Sequence, residues 1–165
     1  MLLYESEVPI MKKTLIAYFT RTGITKKLAE DTAKQTGADL FAIEPVKEYS
    51  SSYLICVGQA KLENLQNARP AMKAKPQNLQ DYDTIVVMFP IWWFTCPNII
   101  LTFLEENDLS GKTVIPVCTY GSSGKGSSEK AMTKVCKNAT FKPCIEATGL
   151  KEKAVVAITA AIKEA

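Results

Sequence analysis

Residues 15–25 read LIAYFTRTGIT, from Leu15 through Phe19 and Gly23 to Thr25. The first five residues are apolar and aromatic, the pattern of a short strand covered on both faces. Thr20, Arg21, Thr22, Gly23 and Thr25 follow at once and open a helix. A turn of hydroxyls and one glycine at a helix start suits a phosphate. Its backbone N–H groups lack helical partners, the helix dipole favours negative charge, and the hydroxyls can donate. The same residues also suit an ordinary cap, with Thr20 or Thr22 closing the helix. Taken alone, the stretch favours the cap, so the choice falls to the rest of the chain.

Outward from this stretch, strand and helix patterns alternate. A helix is expected over Ile24 to Thr36, ended by Gly37, and a second strand over Asp39 to Ile43. A helix from about Ser52 runs towards Asn67, and an extended loop covers Arg69 to Leu79. Asp83 to Phe89, DTIVVMF, is the clearest central strand and runs into PIWWFTCP. Helix is expected from Pro97 to Glu106, strand from Gly111 to Cys118, and helix from Ser127 to Cys136. A last strand spans Ala139 to Thr148, and an amphipathic helix closes the chain over Lys151 to Lys163. Five strands alternating with helices predict an α/β fold: a three-layer, doubly wound, five-stranded parallel sheet. Ligands of such sheets bind beyond the carboxyl ends of the strands, where the strand order reverses.

Composition narrows the function. The 165 residues are 47% hydrophobic and 22% charged, as in a globular protein of one domain. No apolar run is long enough to span a membrane, and MLLYESEVPI at the start carries two glutamates and no basic residue, unlike a secretory signal. Met11-Lys12-Lys13 reads as a second start. Residues 1–11 are therefore expected to be an appendage, residues 12–165 the domain, and the cytoplasm its compartment. The chain has no histidine, which removes Ser-His-Asp and Cys-His catalysis and the commonest metal ligand. Its five cysteines form no C-x-x-C pair, so they read as buried thiols rather than a zinc site or a disulfide framework. A net charge of +3 with dispersed lysines does not point to nucleic acid. Any chemistry must come from carboxylates, lysines, tyrosines or a bound cofactor.

Three strand ends carry unusual contents. TRTGIT is shaped for phosphate, PIWWFTCP holds both tryptophans of the chain, and TYGSSGKG is rich in glycine and serine beside a tyrosine. Adjacent tryptophans in a loop are either peripheral core or the wall of a site for a flat aromatic ligand.

With these three turns in hand, the sequence resembles the flavodoxin-like FMN-binding proteins, from about Lys12 to the end. TRTGIT resembles their Ser/Thr-x-Thr-Gly-x-Thr phosphate loop. PIWW followed by T-x-P resembles the flavin loop of a small bacterial branch, and LSGKTVIPVCTYGSSG that branch's fourth strand and second flavin loop. The resemblance implies strand order 2-1-3-4-5 and FMN as cofactor. It implies Thr20, Thr22, Gly23 and Thr25 around the phosphate, with Arg21 pointing outward or adding charge. Pro90, Ile91, Trp92 and Trp93 would line the isoalloxazine, with Thr95 nearby. Tyr120, Gly121, Ser122, Ser123 and Gly124 would close the other side. Three positions depart from the pattern. Ile24 stands where Asn is usual, leaving only its backbone N–H. Ser122 replaces a second glycine. Phe94 replaces a glycine at a place expected to need positive φ, which a side chain resists at a cost of roughly 1–2 kcal/mol. That penalty implies weak stabilisation of the one-electron-reduced cofactor.

The function expected is a small FMN-dependent oxidoreductase passing electrons from a nicotinamide donor to a quinone-like acceptor, without catalytic side chains of its own. Carriers of the flavodoxin type are usually strongly acidic, and this chain is not. A single-electron carrier docking on a redox partner is the alternative, as is a module that kept the fold and lost FMN. A monomer or homodimer is expected, with no nucleic-acid or membrane partner.

Overall fold

The computed structural model describes residues 13–148 and 151–165, so the expected appendage of residues 1–11 lies outside the described residues. The chain order is β1 (Thr14–Tyr18), α1 (Ile24–Thr36), β2 (Asp39–Ala42), α2 (Tyr53–Gln66), β3 (Thr84–Pro90) and α3 (Asn98–Glu106). Then come β4 (Thr113–Thr119), α4 (Ser128–Val135), β5 (Thr140–Phe141), β6 (Ile145–Ala147) and α5 (Lys151–Glu164). All strand pairings are parallel, in the order β2-β1-β3-β4-β5, with β6 also on β4. The expected strand order is the observed one.

The expected fifth strand is two short pieces, each registered on β4. Pro143 has no N–H to give the ladder, and the Cys144 N–H is diverted to Glu129 Oε1 at 2.8 Å. The strand therefore breaks over residues 142–144 and resumes at Ile145.

Alternate residues of the central strands feed two cores. Leu15, Ala17, Phe19, Ile85, Val87 and Phe89 pack with Ile99, Ile100 and Phe103 of α3 and Met132 of α4. Ile16, Tyr18, Val86, Met88, Ile115 and Val117 face Leu28 and Ala29 of α1 and Ala154 and Ile158 of α5. Burial on both faces is why these strands read as continuous apolar runs. Because β1 lies between β2 and β3, consecutive connections leave it in opposite directions. A crevice opens at the carboxyl ends of β1 and β3. Among the described residues no helix is long and apolar enough to cross a membrane.

Candidate functional site

A cavity of about 680 Å³ occupies that crevice. Of the predicted residues, Thr20, Arg21, Thr22, Ile24, Thr25, Pro90, Ile91, Trp92, Trp93, Phe94, Tyr120, Gly121 and Ser123 line it. Gly23, Thr95, Ser122 and Gly124 do not. They belong to the same three turns without contributing to its lining.

The first turn shapes the floor. Thr20 Oγ1 accepts the Gly23 N–H at 3.0 Å, and Gly23 lies at φ 94. The first internal bond of α1 is Lys27 N–H to the Gly23 carbonyl, and no side chain caps the helix. Neither Thr20 nor Thr22 is the ordinary cap, so the leading N–H groups are left for something else. An added Cβ on Gly23 would meet nothing within 4 Å; the glycine is required by its backbone conformation and fronts open space. Thr25 is buried and bonds Thr119 Oγ1 at 2.8 Å, tying the helix start to the end of β4. Arg21 bends towards α2. Its Nη2 donates to the Ser51 carbonyl at 3.1 Å, and its guanidinium lies 6.0 Å from the Tyr53 ring. Its Nε is buried and, among the described residues, has no partner.

The second turn corrects one expectation. Trp92 and Thr95 exchange backbone hydrogen bonds of 2.9 and 3.2 Å, closing a two-residue hairpin turn over Trp93 and Phe94. The type I′ form of such turns has positive φ at both central residues, and Trp93 and Phe94 adopt 52° and 63°. Phe94 thus holds the conformation it was expected to resist. The neighbouring loop supplies the reason. The Phe94 carbonyl accepts the Ser127 N–H at 2.9 Å, and Gly126 lies so close that an added Cβ would sit 1.8 Å from that oxygen. The tight contact over-determines a strained turn.

The two tryptophans divide their work. Trp92 packs edge-on to Phe19 and Tyr49 at ring distances of 5.2 and 4.9 Å, and Tyr49 donates to Glu63 at 2.7 Å. Trp93 turns outward and remains 40% exposed. Its Nε1 donates to the Val57 carbonyl at 3.0 Å, with Lys61 Nζ 4.7 Å from its ring. Trp92 supports the wall, and Trp93 forms its outer face.

The third turn is braced from behind. Lys125 N–H donates to Glu146 Oε1, and Lys125 Nζ to Glu129, both at 2.8 Å. Burial and the nearby Glu146 push the Tyr120 hydroxyl above its ordinary value.

The sequence reading missed one wall. Tyr53, Cys56, Val57 and Ala60 of α2 line the cavity, spaced as one face of a helix. That spacing was a usable signal, obscured because Leu54, Leu62 and Leu65 form a second apolar stripe on the exposed face. Leu28, Thr119, Ala147, Thr148, Lys151 and Ala154 complete the lining. All five cysteines are free and buried, and burial pushes the Cys96 thiol beside the tryptophan turn up to about 12. Among the described residues no cluster of metal-ligating side chains occurs.

Fold and cavity together define a doubly wound α/β protein with a mononucleotide-sized site at its switch point. The flavodoxin family pattern matches residues 13–158, and the chain belongs to that family. A protein of Bacteroides eggerthii assigned as a flavoprotein is 34% identical, with a TM-score of 0.82 over 93% of this chain and 99% of that one. Its counterpart in Bacteroides uniformis is also 34% identical, with a TM-score of 0.81 over 89% and 97%. A flavoprotein of Lactobacillus acidophilus, solved in complex with FMN, shares the fold at 18% identity, with a TM-score of 0.73 over 82% and 93%. No curated protein matches the sequence.

Proposed function

We propose that this chain is an FMN-dependent oxidoreductase that takes electrons from a nicotinamide donor and delivers them to a quinone-like acceptor. The observation that carries this reading is the sign of the cavity: among the described residues its charged lining is Arg21 and Lys151, with no aspartate or glutamate. Such a site attracts a phosphorylated cofactor and an anionic donor.

The residues fit FMN. The uncapped start of α1, the open space before Gly23 and the orphaned Arg21 Nε suit a phosphate. Trp93, Phe94 and Tyr120 suit a flat ring between them. Bound FMN supplies the hydride and electron chemistry. The chain binds and orients. The TRTGIT turn holds the phosphate end by N–H groups and hydroxyls. The apolar faces of Pro90, Ile91 and Trp93 keep water from the ring. The Tyr120 hydroxyl is available as a donor in the cavity lining.

The carrier reading keeps one observation. The rim of the cavity is apolar and open, with Phe94 65% and Tyr53 70% exposed, as a docking face for a redox protein would be. Anaerobic mixing of the flavin-loaded chain with NADPH and a soluble quinone separates the two. Turnover of the donor with quinone present supports the oxidoreductase. A chain reduced only by a partner reductase supports the carrier.

A further inference from the structure

Of the two cations in the cavity, Arg21 is held in place by the Ser51 carbonyl and the Tyr53 ring, which leaves its Nε to spare. Lys151 is different. It opens α5, and Ala154, one turn on, lines the cavity too. α5 packs along α1, whose first turn contributes Ile24 and Thr25 to the same lining. Two helix starts therefore meet at the phosphate-type turn. Among the described residues, Lys151 has no hydrogen bond or ion pair. The acid that feels its charge is Asp31, on the neighbouring groove between α1 and α5. Lys27 already holds that carboxylate at 2.6 Å.

We propose that Lys151 selects the phosphorylated flavin through the charge its ammonium brings to the cavity lining. This rests on the FMN reading above. Lys151 would then determine specificity without touching the reacting ring: it acts on the phosphate, which FMN has and riboflavin lacks. A cation that serves only Asp31 would not distinguish the two.

The test titrates the full chain, stripped of flavin, with FMN and with riboflavin at low and high salt, following the loss of flavin fluorescence. In Lys151→Gln, FMN affinity should fall about tenfold, the scale of a hydrogen bond to a charged group. Riboflavin affinity should stay unchanged, and the salt dependence of FMN binding should flatten. Lys151→Arg should keep most of the FMN affinity. Equal losses for both flavins, or unchanged FMN affinity in Lys151→Gln, overturn the proposal while leaving the FMN reading in place. A parent chain that binds neither flavin overturns both.

Discussion

At the scale of single residues, the structure makes glycines unequal. Gly126 is fixed by its neighbour: φ 55 and a Cβ position 1.8 Å from the Phe94 oxygen leave no room for a methyl group. Gly126→Ala should destabilise the chain by about 2–4 kcal/mol, from overpacking plus left-handed strain. Gly58, inside α2 with open space around it, should do the reverse. Gly58→Ala is expected to stabilise by about 0.5–1 kcal/mol. Urea unfolding of both variants checks the pair, and equal effects would contradict it. The tryptophans divide in the same way. Trp92→Ala removes a ring wedged between Phe19 and Tyr49 and should cost about 3 kcal/mol of stability. Trp93→Ala should leave folding nearly intact and restore part of the emission that FMN loses on binding. Unchanged quenching in Trp93→Ala would move the stacking role to Tyr120 or Phe94.

At the scale of elements, the turn over Trp93 and Phe94 carries strain that its sequence does not suggest. Phe94 is mostly exposed, so Phe94→Gly loses little packing and relieves roughly 1–2 kcal/mol of left-handed strain, against about 0.5–1 kcal/mol of added chain entropy. A net gain of up to about 1 kcal/mol is expected in the urea midpoint, and a clear loss would mean the ring packs more than its exposure indicates. Glu129 gives a pH-dependent counterpart. Its carboxyl is held below the usual carboxylate range, first by the bond from Lys125 and then by the Cys144 N–H. A depressed carboxyl stabilises above its unfolded pKa and ceases to do so as pH falls through its folded one. Glu129→Gln should therefore cost a few tenths of a kcal/mol at neutral pH, screened as a partly exposed pair, and nothing once pH has fallen below the carboxyl's folded value. Stability curves of both chains against pH would show it. The elements themselves were largely legible. α1 has the limits that Gly37 and the TRTGIT turn predict, because both ends carry local signals. The break at Pro143 was not read, since it depends on a side chain from α4 taking the Cys144 N–H. The positive φ of Phe94 was not legible either. It is imposed by Ser127 and Gly126, more than thirty positions away, against the local preference of the residue.

At the scale of the whole molecule, the parallel order follows from alternating patterns, and the place of the cavity follows from that order. Three of its walls were readable as turns with unusual contents. The fourth, α2, was hidden because the helix is apolar on two sides, and only packing shows which side the cavity takes. Lys151 was hidden for a related reason: a lysine opening the last helix gains meaning only when α5 lies beside α1. Every role proposed for these residues requires FMN in this cavity. The most direct measurement is the absorption spectrum of the freshly purified full chain, with Gly23→Val beside it. Flavin bands and equimolar FMN released from the parent, with both largely lost in Gly23→Val, are the predicted result. A colourless parent that also fails to quench added FMN would contradict it.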